Sequence, residues 1–409
     1  MSWLVPFSSL TPSQQDAVQM DTRAHKAIVG GPGAGKTLVL LHRLNLLFQR
    51  CGKNPDSVRL FVYTNSLKQF IRGGSDLLDV PDDCILTFDK WCADTYRSFI
   101  HSRLPKGEKG VPDFEAIRAG VLHALESGRL RAPLFDYVLV DEAQDMDIVA
   151  IEILKRAGRH VTVCMDGKQQ LYDGRMSEQE LVTRIGLSRH NAVLLAAFRC
   201  NPMVTELAAQ FIPDESRRRE FLQQGANAKM DRSRPLLYVA DNFVDERAHL
   251  IDMVKLRLSY GDSIAVIFPL QKQVHGFAKG FADAGIEVEV QKKESPLDFS
   301  HSLPKLMTYH QAKGLTFDSV FLPRLDRSSF PDQMRERFGH LCFVGISRAV
   351  KWVYMSGVND SLIPAIQALY RAATRRFLDT KLSREAVGLL APAPATDTKA
   401  VVPDLFGLD

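Results

Sequence analysis

Gly30-Gly31-Pro32-Gly33-Ala34-Gly35-Lys36-Thr37 follows the apolar run Ala27-Ile28-Val29 and opens an amphipathic helical stretch. The octapeptide fits G-x-x-x-x-G-K-[ST] in a strand-loop-helix context. Its residue types follow from what a bound phosphate needs. Glycines let backbone N–H groups close around phosphate oxygens, and a helix N-terminus adds a favourable dipole. Gly30 to Gly35, including Pro32, Gly33 and Ala34, would form the cradle. Lys36 would reach the β and γ phosphates, and the Thr37 hydroxyl would ligate Mg²⁺.

A site of this kind needs a second carboxylate, and Tyr137-Val138-Leu139-Val140-Asp141-Glu142-Ala143-Gln144-Asp145 supplies it. The apolar run reads as a strand that delivers Asp141 to the carboxyl edge of a sheet, where it can hold Mg²⁺. Glu142 points elsewhere and is placed to polarise an attacking water. Alone, the stretch would read as a strand ending in an acidic turn. After a phosphate loop it reads as the other half of one site, with ATP and Mg²⁺ as the expected cofactors.

The chain has 409 residues, too many for one ordinary domain of roughly 150. Hydrophobic residues are 45% and charged residues 24%, which excludes disordered, collagenous and disulfide-stapled classes. No apolar run reaches the roughly 18 residues of a membrane helix. Met1-Ser2-Trp3-Leu4-Val5-Pro6 has neither a basic nor an apolar leader region. Six cysteines, at 51, 84, 92, 164, 200 and 342, lack CxxC spacing and read as reduced thiols. A cytoplasmic protein without a membrane partner is expected. The net charge of +4 permits a polyanionic partner without arguing for one.

Short apolar runs alternate with helical patterns along the chain, which predicts an α/β protein with parallel sheets. Strands are expected at 26–30, 60–63, 84–87, 137–141 and 161–165, then at 192–195, 236–239, 264–268, 288–290, 306–309, 320–322 and 352–355. Helices include 36–49, 243–258 and 361–377. The boundary between two lobes is expected near residue 190. From Ala391 the composition turns to Ala-Pro-Ala-Pro-Ala, which buries little.

Taken with further motifs, the chain resembles the UvrD/Rep family of superfamily I helicases over roughly residues 10 to 355. Leu10 through Val18 is similar to the family's Q motif, in which Gln14 would read the adenine edge. Tyr63-Thr64-Asn65 and Thr87-Phe88 resemble the motifs that grip single-strand phosphates. Asp141-Glu142-Ala143-Gln144-Asp145 has the family's form of the Mg²⁺ motif. Asp166 through Tyr172 is similar to motif III, with Gln169 linking the γ-phosphate to DNA and Tyr172 on the strand. Leu194 through Arg199 resembles motif IV, where Phe198 would stack on adenine and Arg199 would face the γ-phosphate. Thr308-Tyr309-His310-Gln311-Ala312-Lys313-Gly314-Leu315 resembles motif V, with Thr308 and His310 on nucleic acid and Gly314 on nucleotide. Val344 through Ala349 resembles motif VI, with Arg348 as a second arginine finger.

The resemblance implies two RecA-like P-loop NTPase lobes with parallel sheets and an ATP cleft between them. Residues 1–190 would form the first lobe, 191–378 the second and 379–409 a flexible tail. Glu142, Gln169, Arg199 and Arg348 would be catalytic. The implied activity is DNA-dependent ATP hydrolysis coupled to 3′ to 5′ movement on single-stranded DNA, or on a duplex with a single-stranded end. A second reading is an ATPase subunit that senses DNA or nucleotide state and activates a separate nuclease or effector in antiviral defence. A third is a non-catalytic DNA-binding scaffold, which the intact set of site residues disfavours.

The chain departs from the family pattern in three ways. About 54 positions separate Thr87 from Asp141 and about 109 separate Arg199 from Thr308, too few for the family's large inserted subdomains. Only a small helical remnant is expected, near 112–126. Gly174 stands where motif III carries an aromatic, a loss that Tyr172, Phe88 and Trp91 could offset, since stacking one base is worth about 1 to 3 kcal/mol. Thr316 stands where motif V carries a glutamate. Arg217-Arg218-Arg219 reads chiefly as a solvated helix face, Lys292-Lys293 and Arg375-Arg376 more so. Val402-Pro403-Asp404-Leu405-Phe406 reads as a frayed terminus before it reads as a clamp-binding peptide. Cys200 reads as a small buried hydrophobe.

Overall fold

The computed structural model describes residues 4–31, 34–62, 67–68, 71, 79–107, 110–165, 183–186, 192–195, 200–225, 233–290, 297, 302–372 and 377–383. The chain divides into two units between Ala196 and Ala197.

In the first unit, β1 (Lys26–Gly30), β2 (Val58–Val62), β3 (Ile85–Thr87), β4 (Phe135–Val140), β5 (Gly158–Met165) and β6 (Ala192–Leu195) form one sheet. Its order is β3-β2-β4-β5-β1-β6, and every pairing is parallel. Parallel strands covered on both faces read as unbroken apolar runs, and Val-Leu-Val of β4 and Ala-Ile-Val of β1 follow that rule. The helix Lys36–Arg50 buries Leu40, Leu41, Leu44 and Leu47 against this sheet. Helices Phe88–Phe99, Phe114–Glu126 and Ile148–Ala157 build a second apolar layer around Phe61, Val121, Val140 and Ile151. The register Val29↔Met165 and Val140↔Val163 brings the carboxyl ends of β1 and β4 to the same edge, with β5 between them. That edge is where open parallel sheets place ligands.

In the second unit, β7 (Leu236–Ala240), β8 (Ile264–Phe268), β9 (Glu289–Val290), β10 (Lys305–Thr308), β11 (Phe317–Leu322), β12 (Ala349–Val358) and β13 (Asp379–Leu382) form another parallel sheet. Its order is β13-β7-β12-β11-β8-β10-β9. Val266, Phe268, Phe321 and Tyr354 lie at its core with Val274 and Phe281 of the helix Gln271–Asp283.

Two expected boundaries move. The short apolar strand at 192–195 does not open the second lobe: it pairs with β1, extending the first sheet past residue 190. The tail expected from residue 379 begins instead with a strand. Asp379 N–H donates to Pro235 O at 2.8 Å and Ser383 N–H to Val239 O at 3.0 Å, fastening β13 along β7. A four-residue edge strand with alternate residues exposed carries almost no apolar signal. The helix expected over 361–377 is described as Pro364–Ala372, and residues 384–409 lie outside the described residues.

Candidate active site

The phosphate loop leaves β1 at Gly30 and turns into its helix through Gly35, whose φ of +79° falls in the left-handed region that favours glycine. A Cβ on Gly35 would also sit 2.6 Å from Gln14 Nε2. That amide donates to Ala34 O at 3.0 Å, so Gln14 is a strut under the loop. Its other end is fixed as well, because Gln14 Oε1 accepts from Thr11 N–H at 3.1 Å in a capping box that starts the helix Pro12–Gln19. Lys36 Nζ donates to Gly30 O at 2.8 Å and Gly31 O at 3.1 Å, which holds its charge over the loop. Pro32 and Gly33 lie outside the described residues.

Asp141 follows directly on β4, with its N–H donating to Phe61 O of β2 at 2.9 Å. Thr37 Oγ1 donates to Asp141 Oδ2 at 2.8 Å, and Glu142 N–H donates to Asp141 Oδ1 at 3.0 Å. Burial, and then the neighbouring Glu142 charge, push the Asp141 carboxyl up to about 6, against the opposing pull of Thr37 and Lys36. A hydroxyl and a buried carboxylate are hard oxygen donors. They suit Mg²⁺, which commonly takes one or two carboxylates and completes its shell with phosphate oxygens and water. Among the described residues no group of three or more His, Cys, Asp or Glu could hold a metal unaided.

Glu142 has φ +53° and ψ +43°, a left-handed conformation that costs a non-glycine residue about 1 to 3 kcal/mol. In this turn the Glu142 carboxylate meets Gln144, whose Nε2 donates to Glu142 Oε2. Both residues are buried. The first unit therefore gathers Gln14, Gly30, Gly31, Ala34, Gly35, Lys36, Thr37, Asp141 and Glu142 at the carboxyl edge of one sheet. This set can bind an oxyanion and a divalent cation, and Glu142 can accept a proton from water.

The second unit packs the two segments around Thr308 and Arg348 together. Thr308 caps the helix Tyr309–Ala312 through Gln311, and Gly314 turns with φ +78°. Arg348 Nε donates to Val344 O at 3.1 Å, Nη1 to Leu315 O at 3.4 Å and Nη2 to Ser347 Oγ at 3.2 Å. The His310 pKa is lowered, first by partial desolvation of its ring and then by the Arg337 charge. Cys200 is a half-buried thiol pushed up to about 11 by burial.

Phe88, expected on a nucleic-acid strand, is a core residue. Its ring meets Phe61 edge-on at 5.5 Å and Trp91 at 5.9 Å, and Trp91 is buried beside Phe135, so neither ring is a stacking platform. Thr87 ends β3 and, with Arg118 and Asp147, lines a cavity of about 580 Å³. Thr64, Asn65, Gln169, Tyr172, Phe198 and Arg199 lie outside the described residues. Among the buried polar residues of the first unit, Arg43 was given no role by the sequence reading, and Gln144 was read only as a member of the acidic motif. The available signal for Arg43 was a cation on the leucine stripe, three residues after Leu40 and four before Leu47.

Two protein families match the chain, an AAA domain over residues 14–175 and a UvrD-like helicase C-terminal domain over residues 291–360. The first match holds the phosphate loop and Asp141-Glu142, the second Thr308 to Arg348. A curated relative, a probable DNA helicase of Mycoplasma pneumoniae, is 25% identical over 272 residues, covering 59% of this chain and 46% of the relative. The chain thus spans about half that relative's length. Among solved structures, Mss116p bound to single-stranded RNA and AMP-PNP superposes with a TM-score of 0.51 at 13% identity, over 91% of this chain and 74% of that one. The likeness is one of fold, two α/β lobes with parallel sheets. The C-terminal domain of a possible DNA helicase from Lactobacillus plantarum matches at a TM-score of 0.35 and 18% identity, over 45% of this chain and 99% of that one.

Proposed function

We propose that the chain is a helicase of the UvrD/Rep type that hydrolyses ATP in response to single-stranded DNA and moves along it 3′ to 5′. The observation that carries the proposal is the 2.8 Å bond from Thr37 Oγ1 to Asp141 Oδ2. It joins the phosphate loop to the acidic turn, 104 residues apart. Thr37 and Asp141 would hold Mg²⁺, which supplies charge neutralisation on the phosphates when bound. Lys36 exchanges its two loop carbonyls for phosphate oxygens. Glu142, oriented by Gln144, takes the proton of the attacking water. Gln14 keeps one amide N–H and one carbonyl lone pair for an adenine edge. Arg199 and Arg348 bring guanidinium charge to the transferring phosphoryl group, a contribution of about 10³ to 10⁵ in rate for such a residue. For Arg348 this requires giving up its carbonyl partners.

Phosphate release from ATP, with and without single-stranded DNA, tests the proposal. Strong stimulation is expected in the full chain and none in Lys36→Ala, together with strand separation on a duplex bearing a 3′ tail. Turnover indifferent to DNA would overturn the motor reading. DNA-stimulated turnover without strand separation would favour an ATPase that controls a separate effector, including one in antiviral defence.

A further inference from the structure

We propose that Arg43 is a positioning residue for nucleotide binding, acting on the phosphate loop through the helix Pro12–Gln19. Arg43 lies on the helix that follows the loop and is fully buried. Among the described residues no carboxylate pairs with it, an unusual setting for a cation, whose burial is costly unless compensated. Four neutral acceptors provide the compensation. Nη1 donates to Val18 O at 3.0 Å and Met20 O at 2.8 Å, Nε to Thr162 Oγ1 at 3.0 Å, and Nη2 to His160 Nε2 at 3.2 Å.

Where those acceptors sit gives the arginine its purpose. Val18 and Met20 end the helix Pro12–Gln19, the negative pole of its dipole, where a cation is favoured. Gln14 in the first turn of that helix donates to Ala34 O and fills the space beside Gly35. Thr162 and His160 lie on β5, and Thr162 is in register with Lys26 of β1, the strand that leads into the loop. Arg43 therefore ties one end of the helix to the strands and helix that frame the loop, and Gln14 at the other end meets the loop itself. A buried apolar side chain could fill the same volume. It could not grip helix-terminal carbonyls and a β5 hydroxyl together, as the planar fork does.

The inference rests on the nucleotide reading above, so its test carries Lys36→Ala as a separate control. If Lys36→Ala binds a fluorescent ATP analogue as the full chain does, the nucleotide reading itself fails. With that control satisfied, Arg43→Lys keeps the charge but loses the fork. Expected is about tenfold weaker affinity for the analogue and a matching rise in KM, with kcat within about twofold. Gln14→Ala should weaken affinity similarly, and the double variant should be little weaker than either single one, because both act along one path. Additive losses, or an affinity change under about twofold beside a fall in unfolding temperature, would make Arg43 a strut of the fold and overturn the proposal. Thr162→Val, which removes the Nε acceptor and the 3.0 Å bond between Thr162 Oγ1 and His160 Nε2, repeats the cycle with Gln14→Ala should Arg43→Lys not fold. Absence of coupling there overturns the proposal equally.

Discussion

Gly35 carries two constraints at one Cα: a left-handed φ and a neighbouring amide where a Cβ would be. Alanine at the same backbone conformation would both strain the backbone, at about 1 to 2 kcal/mol, and push Gln14 off Ala34 O. Gly35→Ala is therefore expected to weaken ATP affinity far more than it lowers unfolding temperature, measured by analogue titration beside thermal melts. Unchanged affinity would separate the Gln14 strut from the nucleotide. At this scale the sequence was legible for residue type and not for partnership. Lys36, Thr37, Asp141 and Glu142 could be picked out because a phosphate with Mg²⁺ would demand those groups at those spacings. That Thr37 meets Asp141, or that Arg43 meets Val18 and Thr162, depends on tertiary placement that no local pattern encodes. Phe88 and Trp91 show the converse: an aromatic after a short strand reads alike as platform or core, and here burial decides for core.

Elements in the interior were legible, because a parallel strand covered on both faces must be apolar throughout. The edge strands β3, β6 and β9 were legible as well, but β13 was not: its order comes from backbone pairing and a few polar contacts. One contact is titratable. On the helix Phe243–Ser259, the His249 ring stacks on Tyr238 at 3.7 Å and meets Tyr354 OH through Nδ1 at 3.0 Å, while Lys381 Nζ of β13 lies 3.3 Å from Nε2. Lys381 is a donor only, so Nε2 accepts and the ring is neutral. Burial and then Lys381 lower its pKa from 6.5 to about 4, against Asp245 and Asp252 on the same helix. The unfolded chain thus takes up this proton first. The stability that the neutral ring contributes is present above pH 6.5 and is lost as pH falls toward about 4. His249→Gln, which can keep both hydrogen bonds, is expected to flatten the stability profile in that window, read by chemical denaturation. An unchanged slope would assign the acid limb to other groups.

Across the whole molecule, two α/β units with parallel sheets were legible, while their boundary, read near residue 190, lies between Ala196 and Ala197. β6 has the same apolar composition whether it closes one sheet or opens the next. A nucleotide that binds the folded chain and not the unfolded one stabilises it by about 2.7 kcal/mol at a hundred times its Kd. Mg²⁺-ATP should therefore raise the unfolding temperature of the full chain and leave Lys36→Ala unmoved. The most direct test of the central assignment, Glu142 as the base beside a Thr37–Asp141 metal seat, is phosphate release by Glu142→Gln with ATP affinity measured in parallel. Expected is unchanged affinity with hydrolysis down by about 10² or more, in keeping with the loss of a positioned general base. Hydrolysis near the rate of the unaltered chain would contradict it.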